Sequence, residues 1–328
     1  MAGKIRVLMV YPTRSSFVER DIDILRENYD VVELQYSGKE DLLRLSKLVR
    51  STDVNISWFV LGYATITALL SRFIGKKSIL IAGGWDVVSM PELGYGAMLT
   101  KNRISKTSRA LREADRVIAV SESTKEWVSK WVKRDDVITI YHGFDSKKFS
   151  LGGERENIVL TVGNLRNDVT VRVKGLDTFL NTAALLPDVR FQLIGEHDSK
   201  IAHAWSNKVA DNVEIMDFQP QDTLIEYYRK AKVYAQLSYQ ESFGCALAEA
   251  MLCGCVPVTT RRGALPEVVG ESGFYVKYGD VENIKDIIGK AMTSDKGGEA
   301  RDRIMSHFPL DKRKEELFRI IDECVKKT

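Results

Sequence analysis

Two carboxylates eight positions apart, Glu241 and Glu249, bracket an abrupt passage from strand-like to helix-like sequence. The apolar run 233–237 suits a buried strand, while 245–252 is a strong helix former that stops at Gly254, a natural left-handed cap. Gly244 therefore stands where a helix opens. Such an opening leaves backbone N–H groups unpaired and carries partial positive charge, so a diphosphate docks there without a metal ion. The N–H groups of Gly244, Cys245 and Ala246 are the candidates. Glu241 lies on the loop before the opening, and Glu249 one turn inside it on the same face as Cys245. A carboxylate accepts paired hydrogen bonds from neighbouring hydroxyls, so one acid suits a ribose and the other a hexose. The bland alternative is a surface Glu and a helix Glu, both solvated.

The elements that must position these acids are legible over the whole chain. At 328 residues it exceeds the roughly 100–200 usual for one domain, which implies two. Apolar β-like runs at 5–10, 31–34, 54–59, 78–81, 116–120 and 137–141 alternate with helical stretches. After a polar linker at 150–157 the cycle restarts at 158–162 and continues at 190–194, 213–216, 232–237, 256–259 and 273–276. The reading is α/β, two Rossmann-like doubly wound parallel sheets facing across a cleft, with ligands beyond the carboxyl ends of the strands. The first domain is placed at 1–150 and the second, nucleotide-sugar-binding one at 151–310. Nicotinamide binding loses its best support, because the first strand leads into Tyr11-Pro12-Thr13-Arg14 with no G-x-G-x-x-G. The P-loop pattern is absent too.

Further residues carry a resemblance. Ala235-Gln236-Leu237-Ser238 precedes the two acids and Cys253-Gly254-Cys255-Val256-Pro257-Val258 follows them. Val162-Gly163-Asn164-Leu165, Lys174-Gly175-Leu176-Asp177, Leu193-Ile194-Gly195-Glu196 and Gly263-Ala264-Leu265-Pro266-Glu267 stand in order, and Tyr141-His142-Gly143-Phe144-Asp145 falls in the first half. Together they resemble the signature of family-four glycosyltransferases, which are retaining enzymes of the GT-B fold. The resemblance covers nearly all of 157–280. It implies transfer of a hexose from a nucleoside-diphosphate sugar to a hydroxyl acceptor, glycan or lipid-linked, without a metal or other cofactor. It also implies that 311–328 is a helix returning to the first domain.

By that resemblance Lys174 binds phosphate, Glu241 holds donor-sugar hydroxyls, Glu249 holds the ribose, Phe243 shapes the pocket, and Phe218-Gln219-Pro220 runs beside the base. Gly163 opens the first loop of the second domain, 164–175. Relatives place an arginine after that glycine, but here Asn164 occupies the position, so its task falls to Arg166, favoured, or Arg172. On the acceptor side the family's histidine after the fourth strand is replaced by Ala82-Gly83-Gly84-Trp85-Asp86. Paired glycines there would let backbone approach the donor sugar and Asp86 would orient a hydroxyl, unless the segment is a simple turn. Arg14 joins this acceptor-side group. The missing histidine keeps open a sugar-nucleotide-binding protein that does not transfer, and a nucleotide-sugar epimerase or phosphorylase of the same fold is the other alternative.

Composition narrows the partners. The four cysteines are too few and too clustered for a disulfide scaffold, and Cys253-x-Cys255 is too close for the usual zinc pair. His142, His197, His203 and His307 show neither metal spacing nor a neighbouring nucleophile. No run of about 18 apolar residues is present, and the N-terminus has no signal-peptide layout, so the expected location is cytoplasmic. Of the net charge of +3, about six excess positives lie before residue 150 and about three excess negatives after it. Lys101, Arg103, Lys106, Arg109 and Arg112 concentrate much of the excess. They make 95–112 either a solvated helix face or a peripheral contact with anionic membrane on its inner face, with Tyr95, Met98 and Leu99 as shallow apolar contacts. No nucleic-acid motif appears, and no nucleic-acid partner is expected.

Overall fold

The computed structural model describes residues 4–196 and 209–326, so His197 and His203 lie outside the described residues. The chain divides into two compact units, Met1–Gly143 with Leu310–Thr328, and Phe144–Pro309.

The first unit is built on β1 (Arg6–Tyr11), β2 (Asp30–Gln35), β3 (Val54–Trp58), β4 (Lys77–Ala82), β5 (Arg116–Ala119) and β6 (Val137–Thr139). They form one parallel sheet in the order β2-β1-β3-β4-β5-β6. The second unit is built on β7 (Glu156–Val162), β8 (Arg190–Ile194), β9 (Val213–Met216), β10 (Ala231–Gln236), β11 (Val256–Thr260) and β12 (Phe274–Val276). Their order is β12-β11-β10-β7-β8-β9, again all parallel. Each sheet is covered on both faces, which is why its central strands are continuous apolar runs such as Val7-Leu8-Met9-Val10, all buried. Each unit is by itself a Rossmann-like, doubly wound parallel sheet.

In both sheets the chain reverses direction of growth at its first strand, β1 or β7, and such switch points leave a crevice beyond the strand ends. In the second sheet that crevice opens between the loops after β7 and β10. The register from Ile158↔Arg190 to Val162↔Ile194 starts the loops after β7 and β8 level with one another. Gly163 and Gly195 consequently lie in contact, and a Cβ on Gly195 would overlap the Gly163 carbonyl oxygen.

The helix Leu310–Lys326 packs on the first unit, where Leu317, Ile320, Ile321 and Cys324 join the core beneath β1, β3 and β4. One buried charge pair fixes its start. Arg313 donates from Nε to Asp21 Oδ1 at 2.6 Å and from Nη2 to Asp21 Oδ2 at 2.7 Å. Its Nη1 donates to the carbonyls of Ile140 and Tyr141, and Trp58 Nε1 donates to Asp21 Oδ2 at 2.8 Å. Side-chain exposure is 1% for Arg313 and 0% for Asp21, so both charges depend on these partners alone.

Candidate functional site

β10 runs through Gln236 into the loop 237–244, and the helix Cys245–Leu252 begins behind Gly244, whose φ of 96° and ψ of 55° are left-handed. Glycine adopts that geometry without the Cβ penalty other residues meet. Glu241 sits on this loop with its carboxylate largely enclosed. Lys174 Nζ donates to Glu241 Oε2 at 2.7 Å, Gln236 Nε2 to the same oxygen at 3.2 Å, and the Ser242 N–H to Oε1 at 3.1 Å. The Glu241 backbone is braced from behind: its carbonyl accepts from the Ala264 N–H at 2.9 Å, and Gly263 lies so close that a Cβ would overlap it. Lys174 retains 31% side-chain exposure against 12% for Glu241, so the ammonium still reaches solvent.

Lys174 is delivered by a helix that the sequence reading treated as loop. Residues 164–175 contain the helix Asp168–Lys174, and this corrects the expectation of an unstructured phosphate loop. Its cause is capping: Asn167 Oδ1 accepts from the Thr170 N–H at 2.8 Å, and Gly175 ends the helix at φ 65°. These two signals outweigh the β-branched run Val169-Thr170-Val171. A Cβ on Gly175 would overlap the Leu237 carbonyl oxygen, so the end of this helix is pressed against the loop after β10. Lys174 and Glu241 meet because of that contact.

Glu249 is buried inside the helix Cys245–Leu252, and its Oε1 accepts from Gln221 Nε2 at 3.2 Å. Gln221 opens the helix Gln221–Lys230 just after Phe218-Gln219-Pro220, and its Oε1 accepts from Lys148 Nζ at 2.8 Å. Phe218 is 63% exposed. Gln236 and Gln221, partners of the two acids, and Lys148, which bonds to Gln221, had no role in the sequence reading. Gln236 stood inside a quoted motif, whereas nothing in sequence ties Gln221 to a residue 28 positions away.

The remaining candidates divide. Asn164 Oδ1 accepts from the Glu196 N–H at 2.9 Å and Arg166 pairs with Glu196, so both tie the loop after β7 to the loop after β8. Arg172 is exposed; its Nε donates to the Asp168 carbonyl at 3.4 Å and its own carbonyl accepts from the Tyr278 hydroxyl at 2.7 Å. Neither arginine pairs with Glu241. Phe243 is buried, its ring stacked on Phe144 at 5.8 Å and edge-on to Phe308 at 5.3 Å. It anchors the loop in apolar packing rather than shaping an open pocket, a correction to its expected place.

In the first unit Asp86 serves a turn. Its side chain is fully buried, Oδ1 accepting from the Gly84 N–H at 2.8 Å and Oδ2 from the Val60 N–H at 2.6 Å, so it pins the turn, as the turn alternative expects. Burial pushes its carboxyl up to about 6 despite these N–H groups. Gly83 leaves room for the Phe59 ring, which a Cβ would strike, and so serves packing. Phe59, with φ 65°, is the one non-glycine at positive φ among the described residues. Gly84, at φ 114°, supplies the N–H that Asp86 holds. Arg14 pairs with Glu33 at 2.7 Å, beside the Tyr11 hydroxyl.

On 95–112, Lys101, Arg103, Lys106, Arg109 and Arg112 are all exposed along the helix Lys101–Glu113. Leu99 is exposed and Tyr95 half-buried, but Met98 is buried, which removes one of the three expected apolar contacts. Trp85, exposed with the Arg103 guanidinium 6.0 Å over its ring, was not foreseen there. No helix among the described residues is long and apolar enough to cross a membrane. Among them, too, no three His, Cys, Asp or Glu side chains gather as metal ligands. Cys253 and Cys255 are free thiols whose pKa values burial pushes up to about 12 and about 11.

Residues 144–306 match the family model described as glycosyl transferases group 1. The D-inositol 3-phosphate glycosyltransferase of Mycobacterium sp. (strain JLS) is 30% identical over 192 residues, 52% of this chain and 43% of the relative. The chain thus spans less than half the length of that relative. The N-acetyl-alpha-D-glucosaminyl L-malate synthase of Bacillus anthracis is 25% identical over 322 residues, 87% of this chain and 80% of the relative. Among solved structures, Anabaena HepE in complex with UDP superposes with a TM-score of 0.80 at 17% identity, covering 97% of this chain and all of that one. That superposition shows the GT-B fold.

Proposed function

From the membership of residues 144–306 in the family of glycosyl transferases group 1, we propose that the chain moves a hexose from a nucleoside-diphosphate sugar to a hydroxyl acceptor with retention and without a metal. The observation that carries the reading is the Lys174 ammonium, held 2.7 Å from Glu241 on the loop that opens into the helix Cys245–Leu252. A cation, a hydroxyl-binding carboxylate and a helix opening converge there at the switch point of the second sheet. This combination suits a sugar diphosphate.

In the reaction, the bond from the anomeric carbon to the leaving phosphate oxygen breaks while the acceptor oxygen bonds to the same face of that carbon. The acceptor proton passes to the departing phosphate. Negative charge therefore grows on the diphosphate, and stabilising it is the main electrostatic task. Lys174 and the N–H groups at residues 244–246 perform it. Glu241 accepts from hexose hydroxyls, Glu249 from the ribose, and Phe218 offers a face to the base. Asn164 accepts from the Glu196 N–H through Oδ1 and carries no charge to match the family arginine; Arg166 is the candidate once it exchanges Glu196 for phosphate.

The test is product analysis. The protein is incubated with UDP-, GDP- and ADP-hexoses in excess chelator, and released sugar or glycoside is followed by NMR from the first turnover. The expected result is loss of one donor with an α-configured product from an α-configured donor. A donor converted to its epimer, or a product requiring added divalent cation, would count against the reading.

A further inference from the structure

At the carboxyl ends of β11 and β12 the second unit carries a pocket of about 350 Å³, lined by Thr260, Arg261, Arg262, Tyr275, Lys277 and Tyr278 among others. Three of these residues are cations, and none of them forms an ion pair with a carboxylate among the described residues. The guanidiniums rest on aromatic faces instead. Arg261 stands 3.8 Å over the Tyr275 ring and Arg262 4.6 Å over that of Tyr239. Tyr239 meets Tyr278 edge-on at 5.1 Å, and the Tyr278 hydroxyl is fixed on the Arg172 carbonyl. The acids whose charge reaches these tyrosines are Glu271, at Tyr275, and Asp177, at Tyr278. A guanidinium on an aromatic face keeps its N–H edge available, and that edge matches phosphate or carboxylate in paired hydrogen bonds.

The location limits what such an anion is. Gly263, next to Arg262, is pressed on the Glu241 backbone, so the pocket adjoins the Lys174–Glu241 pair. In the sheet order, β11 and β12 lie on the opposite side of β10 from β7, β8 and β9, the side that carries Asn164, Glu196 and Phe218. An anion here is on the far side of the carboxylate pair from the segment offered to the base. We propose that Arg261, Arg262 and Lys277, with Tyr275 and Tyr278, form a subsite for a phosphate or carboxylate carried by the molecule that meets the donor sugar. The assignment to the acceptor rests on the glycosyl-transfer reading; the anion subsite stands without it.

The experiment is calorimetric titration of the full chain with inorganic phosphate at constant ionic strength, alone and with a saturating nucleoside diphosphate. It is repeated on the variant Arg261→Gln/Arg262→Gln/Lys277→Gln. These side chains are on the surface, and a melting curve matching the parent's confirms folding. Phosphate should bind the parent with the nucleotide present, and the variant should bind phosphate at least about tenfold more weakly with nucleotide affinity unchanged. A second arm uses vesicles containing phosphatidic acid: binding of vesicles but not free phosphate, lost in the variant, keeps the subsite and places its anion on a lipid. Phosphate displaced by nucleotide, phosphate and vesicle binding both absent in the parent, or binding that survives in the variant would overturn the proposal. Should no nucleoside diphosphate bind, the glycosyl-transfer reading fails by itself, and the parent–variant comparison still decides the subsite.

Discussion

Lys174→Ala is expected to lower turnover by about 10²–10³-fold while leaving the fold intact, because in the proposed reaction it removes a preorganised charge from the developing diphosphate. The fold should survive for a structural reason. Glu241 keeps two donors after the substitution, Gln236 Nε2 and the Ser242 N–H, and is 12% exposed, so no bare carboxylate is left in an apolar interior. Position matters as well as charge. Lys174 is the last residue of its helix, and the next residue, Gly175, is seated on the Leu237 carbonyl. Lys174→Arg therefore restores a cation at the wrong reach and should recover only part of the rate. Steady-state donor consumption, with circular dichroism as control, checks this. Alanine-variant turnover within a few-fold of the parent would remove Lys174 from the phosphate site.

Arg313→Ala is expected to destabilise the first unit by about 3–5 kcal/mol, the cost of leaving the Asp21 charge buried without its partner. Asp21 accepts from three donors, and two of them belong to Arg313. The same guanidinium also satisfies the Ile140 and Tyr141 carbonyls, so its loss strands two carbonyls in the segment after β6 as well. Replacing both charges, as Asp21→Leu with Arg313→Met, should cost clearly less than either single change, since buried ion pairs gain little over well-packed apolar groups. Urea unfolding followed by tryptophan fluorescence reports on this region because Trp58 bonds to Asp21. A single-variant cost under about 1 kcal/mol would mean that water reaches the pair.

What the sequence disclosed and what it withheld divide along a physical line. Each of the twelve described strands was legible, because a strand covered on both faces must be a run of apolar residues, as in Val7-Leu8-Met9-Val10 and Ile158-Val159-Leu160. Their ends moved by a residue or two, as when 232–237 became Ala231–Gln236. The helix Asp168–Lys174 was missed because its β-branched residues argue against helix, while the deciding contacts are one side-chain cap and one left-handed glycine. The buried roles of Asp86, read as orienting a hydroxyl or lying in a simple turn, and of Arg313, given no role, needed the fold for a common reason. A charge is ordinarily solvated, and only the fold brings the Val60 N–H to Asp86 and Asp21 to Arg313. Phe243 and Met98 follow the converse rule, since apolar groups offered to a ligand or surface are often claimed by the core. The acids Glu241 and Glu249 were singled out by spacing together with the resemblance, but their partners Gln236 and Gln221 needed the fold.

The most direct test of the account is thermal stability of the full chain against UDP, GDP and ADP, measured for the parent and for Glu249→Ala. A bound ligand at about 100 times its dissociation constant adds near 2.7 kcal/mol of stability, well within reach of such an assay. One nucleoside diphosphate should stabilise the parent, with most of the effect lost in Glu249→Ala, because Glu249 is assigned the ribose. Stabilisation by none of the three, or by one of them equally in the variant, would contradict the placement of a nucleotide donor at the opening of the helix Cys245–Leu252.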